Sequence, residues 1–261
     1  MDLLFEQTRE RVDQWAEDLN VLGVMLVGSK SRGHGDELSD DDLEVILTEG
    51  AAAPIRPADC SDVLIVGEGT GRKMIYDAQY MGIDGLRAKE SSVYDLDHWP
   101  YESSPILFDR DGLLANLVPR LAAMPADFRH KRLMHSTIDA WIPPYRMSKC
   151  LKRGQTAAAR LLAARGARAL IRLVFALEWR WVPLDHWLQK DMATLKDPAR
   201  VVPLILEALE TGEAKPLVDG LAALEEQLMA EGVPGPKGRG DLFMELIHPS
   251  NVVERAVHGL Q

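Results

Sequence analysis

Strand-like apolar runs are confined to the first part of this chain, and helical periodicity occupies the rest. VLGVMLV (21–27), LEVILT (43–48), DVLIV (62–66) and KMIYDAQYM (73–81) are short, rich in β-branched or large apolar residues, and separated by Gly, Pro, Ser and Asp. They are expected to be strands of one sheet, with PILFD (105–109) as a further strand. Ahead of them, residues 2–19 carry Leu4, Phe5, Val12, Trp15 and Leu19 among charges at roughly helical spacing, which predicts an amphipathic helix packed on the sheet and ending at Asn20. DGLLANLVPRLAAM (111–124) predicts a helix that starts near Asp111.

Past Met124 no segment reads as a strand, whereas Leu161, Leu162, Leu170, Leu173, Val174 and Leu177 recur with helical period between Gln155 and Trp181. The expectation is an α/β domain over residues 1–125, of α+β type, followed by an all-α domain over 126–261. Pro143-Pro144 should bend or interrupt one helix, Pro183 should end another, and GVPGPKGRGD (232–241) should be a turn or mobile loop.

A chain of 261 residues with 46% hydrophobic and 27% charged content can bury a substantial core. Its opening MDLLFEQTRERVDQW lacks the features of a secretory signal, and nowhere are there eighteen uninterrupted apolar residues, so the expected location is cytoplasmic with no membrane contact. Cys60 and Cys150 lie far apart without a CxxC or Cys/His cluster and are expected to be reduced thiols, neither a disulfide framework nor a zinc site. A net charge of −10 argues against coating nucleic acid and favours a metal-bound nucleotide or a cationic small molecule.

The glycines of VGEGTGR (66–72) do not make a dinucleotide fingerprint, because a strand-like run follows where that motif needs a helix; they read as a connection between strands. The seven histidines show no metal-ligand spacing, and neither a GxSxG elbow nor a Walker lysine loop is present. Trp179, Trp181 and Trp187 could stack on a base or a substrate ring, and core packing is the expected reading.

The stretch VGSKSRGHGDELSDDDLEVIL (27–47) is different in kind, with three aspartates entering an apolar run and no lysine or arginine adjacent to them. Asp40 and Asp42 are two apart, so on a strand they share a face while Asp41 points the other way. Two carboxylates held together repel, which raises a pKa or recruits a metal. Upstream, Gly28 lets the backbone approach a ligand closely, and Ser29 offers a hydroxyl and an amide to phosphate oxygens. Asp77 is a charged residue within an otherwise apolar strand, costly there unless paired or ligating; Asp84, beside glycines, reads as a turn residue. Lys149, Lys152 and Arg153 cluster within little more than a helical turn and are candidates for a triphosphate.

The pattern Gly28-Ser29, a polar loop, then Ser39, Asp40, Asp42 and Leu43 resembles the signature of the nucleotidyltransferase superfamily that includes DNA polymerase β, and the longer stretch looks most like lincosamide and aminoglycoside nucleotidyltransferases. ILFDRDGLLANL (106–117) and CLKRGQTAAARLL (150–162) also look like segments of that group. The resemblance implies a mixed sheet followed by a helical bundle, with an active site in the cleft between them. It also implies two Mg2+ ions on Asp40 and Asp42, Asp77 as shared metal ligand and base, and Gly28, Ser29, Lys149, Lys152 and Arg153 around ATP or another nucleoside triphosphate. The acceptor implied is a hydroxyl of a small, cationic antibiotic, with a protein or RNA acceptor, or a non-catalytic nucleotide-binding relative, as alternatives; a homodimer is left open. Asp41 stands where relatives have an apolar residue, which leaves a shifted pair, Asp42 and Glu44, as an alternative.

Overall fold

The computed structural model describes residues 4–258. The chain divides into two compact units, Met1–Ala123 and Met124–Gln261.

In the first unit the elements run α1 (Glu6–Glu17), β1 (Val21–Val27), α2 (Gly28–Ser31), β2 (Asp41–Leu47), α3 (Glu49–Ala52), β3 (Ser61–Val66), β4 (Lys73–Gly82), α4 (Ile83–Ala88), β5 (Ile106–Asp109) and α5 (Leu113–Ala122). The five strands form one mixed sheet in the order β3-β4-β2-β1-β5, with β2 and β4 parallel and every other pair antiparallel. β1 reads as an unbroken apolar run because it is interior and covered on both faces. Alternation along the strands sends Val24, Leu26, Leu43, Val45 and Leu47 towards Val12 and Trp15 of α1. Met25 and Ile46 face the opposite layer, formed by Ile83 and Leu86 of α4 and Leu114, Leu117 and Leu121 of α5. The glycines between β3 and β4 form the short connection expected from sequence, a 3-10 turn at Gly69–Gly71.

α5 is capped by Asp109, whose carboxylate accepts from Leu114 N and Ala115 N at 2.9 Å each. Asp111, expected near the start of this helix, sits instead in the preceding turn at φ 61°.

The second unit contains α6 (Ala126–Lys152), α7 (Thr156–Leu177), α8 (Leu188–Met192), α9 (Val201–Thr211), α10 (Lys215–Ala223), α11 (Glu225–Ala230), α12 (Arg239–Leu246) and α13 (Val252–His258), and no strand among the described residues. α6 and α7 are the long pair, and Leu133, Ile138, Met147, Leu170, Leu173 and Phe175 are buried between the helices. Of the two expectations for Pro143-Pro144, a bend or an interruption, α6 shows no interruption: the helix runs through both prolines. Pro143 is buried, and it packs where Gly166 of α7 allows close approach: a Cβ on Gly166 would lie 2.8 Å from Leu217 and 3.4 Å from the Pro143 ring. Tertiary packing therefore offsets the two missing backbone donors. His135 and His258 stack at 5.1 Å, and burial pushes both imidazoles down, to about 4 and about 3, so they pack as neutral rings at pH 7.

No helix of the described residues is long and apolar enough to cross a membrane. Both cysteines are free.

Candidate active site

The three aspartates enter β2 so that consecutive side chains leave opposite faces of the sheet, and the two faces treat them differently. Asp41 is fully buried on the α1 side. Its Oδ1 pairs with the Lys30 ammonium at 2.6 Å, and its Oδ2 accepts from Thr8 Oγ1 at 2.6 Å and from Phe5 N at 3.0 Å. Three groups, from α1, the residue ahead of it, and α2, thus satisfy one carboxylate. The aspartates looked cation-free in the sequence because Lys30 lies eleven positions upstream and reaches Asp41 only through the fold.

On the other face, Asp42 lies in register with Asp77 of β4, the strand beside it in the sheet interior. Asp40 precedes Asp42 by two residues, and Asp40, Asp42 and Asp77 are each half-buried. Burial, then the charges of Asp40 and Asp77, push the Asp42 carboxyl up to about 6, against a hydrogen bond donated by the Ser29 backbone N–H. Asp77 accepts from Gln79 Nε2 at 2.9 Å. Among the described residues no lysine or arginine pairs with Asp40, Asp42 or Asp77.

The turn after β1 is shaped around Asp42. Gly28 has φ +71°, and a Cβ there would lie 1.9 Å from Asp42 Oδ2, so only glycine fits both the backbone and the space. Ser29 is buried, and its amide, read from sequence as a phosphate donor, is engaged by Asp42.

Glu44, next on the Asp42 face, is held by a local network. It accepts from Tyr101 Oη at 2.7 Å and pairs with Lys89 at 3.2 Å, while Lys89 also donates to Tyr101 Oη at 2.6 Å. Burial and the Glu44 charge raise the Tyr101 phenol above its ordinary range. Glu44 is thus compensated and Asp42 is not, which separates the two candidate pairs on charge. Sequence reading missed Lys30, Lys89 and Tyr101; Lys30 had one signal, its place directly after Gly28-Ser29.

Donor chemistry fits a hard cation: every candidate ligand is a carboxylate oxygen, the set that suits magnesium and not zinc. Among the described residues no three His, Cys, Asp or Glu side chains are already gathered as a complete metal-binding group. A magnesium site needs only one or two carboxylates when substrate phosphates and water complete the shell.

The other expected site residues lie in the second unit. Lys149 and Lys152 are on the last turns of α6 and Arg153 caps it, all three exposed, with the Lys149 ammonium 4.3 Å from the Tyr145 ring centroid. Asp84 is exposed in the first turn of α4 and pairs with Arg87 at 3.2 Å. Trp181 is buried in the core as expected, but Trp179 is half exposed.

Residues 100–188 match a family described as a domain of unknown function, DUF4037; the match excludes Asp40, Asp42 and Asp77. No curated protein matches the chain. Among solved structures, the chain is similar to a nucleotidyltransferase-like protein from Exiguobacterium sibiricum 255-15, with 18% identity and a TM-score of 0.48 over 96% of this chain and 86% of that one.

Proposed function

We propose that the protein transfers a nucleoside monophosphate from magnesium-bound ATP to a hydroxyl of a small molecule. The observation that carries this reading is the uncompensated carboxylate pair, Asp42 facing Asp77 with Asp40 beside them, behind the Gly28-Ser29 turn. The resemblance of that segment to the nucleotidyltransferase signature supports it.

Asp40, Asp42 and Asp77 would hold the magnesium, two ions in this reading, which when bound neutralises the triphosphate and the departing pyrophosphate. The Ser29 amide fixes one oxygen of Asp42, and Gly28 provides the room beside it. Ser29 Oγ would bind a phosphate oxygen. In the transfer, the acceptor oxygen bonds to the α-phosphorus, the bond from that phosphorus to the α–β bridging oxygen breaks, and pyrophosphate leaves. The acceptor's proton passes to Asp77, where Gln79 occupies Oδ1 and leaves Oδ2 to receive it.

The acceptor in this reading is a cationic, hydroxyl-rich molecule of aminoglycoside or lincosamide type. Asp36 and Glu37, exposed on the loop before β2, would attract its amines. Asp41 and Glu44 add nothing to that attraction, because Lys30 and Lys89 compensate them. The acceptor's Michaelis constant should rise with ionic strength at saturating Mg-ATP, and less so in Asp36→Asn with Glu37→Gln.

The test is a panel of labelled triphosphates with aminoglycosides, lincosamides and cell extract, followed by mass spectrometry. A nucleotidyl adduct on an amine-bearing small molecule is expected. Labelling of a protein instead would replace the acceptor, and no transfer from any triphosphate would overturn the reaction.

A further inference from the structure

Charge along this chain is segregated. The net charge of −10 that speaks against a nucleic-acid partner is an average over all 261 residues. Residues 140–177, the last part of α6 and the whole of α7, hold eight lysines and arginines and not one aspartate or glutamate. Four of the eight have partners elsewhere in the second unit: Arg165 pairs with Asp139, Arg168 pairs with Asp185, Arg160 donates to Thr211 O at 2.5 Å, and Arg172 donates to His258 O at 3.1 Å. The other four, Arg146, Lys149, Lys152 and Arg153, are exposed and make no ion pair among the described residues. Arg146 feels the charge of Asp139, which already pairs with Arg165.

Two of these lysines continue a stripe on α6 that begins with aromatic rings. Trp141, Tyr145, Lys149 and Lys152 follow one another at intervals of four, four and three residues, so they share one face of the helix along about 17 Å of its length. Trp141 is 39% exposed and Tyr145 is 65% exposed. Trp141 makes no ring contact among the described residues, and Tyr145 meets only the exposed Lys149 ammonium, 4.3 Å from its ring centroid. Lys149 and Lys152 suit the negative end of the α6 dipole. That end effect explains neither the exposed rings nor the missing acids.

We propose that this face of α6 binds a single-stranded nucleic acid, its phosphates meeting Arg146, Lys149, Lys152 and Arg153 and its unpaired bases stacking on Trp141 and Tyr145. Cations supply the salt-dependent part of such binding, and every base offers a ring face to an aromatic side chain. An acidic protein surface would use the cations and leave the rings without partners. A lipid surface would need an apolar helix face, and the apolar residues of α6, Leu133, Ile138 and Met147 among them, are buried in the helical core. In a duplex the base faces are covered by their neighbours, so the rings favour an unpaired strand. The surface belongs to the second unit alone and is independent of the transfer reaction proposed for the first.

The test is fluorescence anisotropy of the full chain with a labelled RNA of mixed sequence, single-stranded or annealed to its complement, at several salt concentrations. The single strand should bind saturably and more tightly than the duplex, and log K should fall against log salt with a slope of about −3, from four phosphate contacts at about 0.7 each. Lys149→Gln with Lys152→Gln should weaken binding about tenfold and cut that slope by about half. Trp141→Ala should weaken binding about tenfold with the slope unchanged, and Trp141→Phe should retain most of the affinity. Lys215→Gln, an exposed change on α10, should alter nothing. Absence of saturable binding, a preference for the duplex, tighter binding to phosphatidylserine vesicles than to the strand, or single-strand affinity unchanged in the lysine and tryptophan variants would overturn the proposal. An equal loss in Lys215→Gln would do so too, since it would make the effect one of overall charge.

Discussion

Asp41 and Asp42 are neighbours in sequence and opposites in environment. On the α1 side of the sheet, a fully buried carboxylate has an ammonium and two further donors. On the other side, a half-buried one has two more carboxylates near it, a single backbone donor, and a proton affinity raised to about 6. Burying a charge is costly unless it is paired, so the first arrangement belongs to the fold, whereas the second works against folding and is the arrangement that the proposed magnesium would relieve.

The largest effect should come from breaking the satisfied side. Lys30→Met leaves Asp41 buried without its cation and should cost about 3–5 kcal/mol in urea unfolding. Adding Asp41→Leu should recover much of that loss, since an apolar pair replaces the ionic one. If Lys30→Met costs under ~1 kcal/mol, Asp41 is not held as described.

Asp42→Asn should act in the opposite direction. With its folded-state pKa above the unfolded value of about 4, Asp42 binds its proton more tightly in the folded protein. Its contribution therefore favours folding below about pH 4 and falls away as pH rises to about 6. Removing the charge should raise metal-free stability by about 2 kcal/mol at pH 7 and change it little at pH 4. Unfolding at those two pH values checks the sign, and a loss of stability at pH 7 would contradict it.

Gly28→Ala sharpens the comparison because it touches only the uncompensated face. The left-handed backbone alone should cost about 1–2 kcal/mol. The new Cβ must also displace Asp42 and so weaken cation binding; unchanged binding would mean that the turn does not shape the site.

The smallest effect is expected for Glu44→Gln, about 1 kcal/mol from weakening the bonds to Lys89 and Tyr101. Stabilisation by Mg-ATP should be unaltered. Loss of that stabilisation would move the metal pair to Asp42 and Glu44.

Much of the sheet was legible in the sequence because period and composition are local. β1 reads as a buried run, and the alternation around Asp42 puts Asp41 and Leu43 on one face and Glu44 on the other. The position of β4 was not legible: nothing local states that it lies inside the sheet, parallel to β2, with Asp77 opposite Asp42. Nor was the pairing of charges, since Lys30–Asp41 and Lys89–Glu44 span 11 and 45 positions and form only once the layers pack. The continuity of α6 through Pro143 and Pro144 was not legible for the same reason, because local rules allow a bend or a break there and the packed partner helix lies far along the chain. Trp179 was read as core in preference to a stacking ring, yet it is half exposed, and its left-handed backbone, φ 59° just past the end of α7, is a property that composition does not express.

The most direct test compares the two faces in a single experiment, thermal unfolding of wild type, Asp41→Asn and Asp42→Asn at pH 7 with and without Mg-ATP. Wild type should gain Tm on addition of Mg-ATP. Asp41→Asn should melt lower yet keep that gain, and Asp42→Asn should melt as high as wild type or higher yet lose it. If Asp42→Asn melts as low as Asp41→Asn, or keeps the full gain, the division between a structural and a ligand-binding carboxylate is wrong.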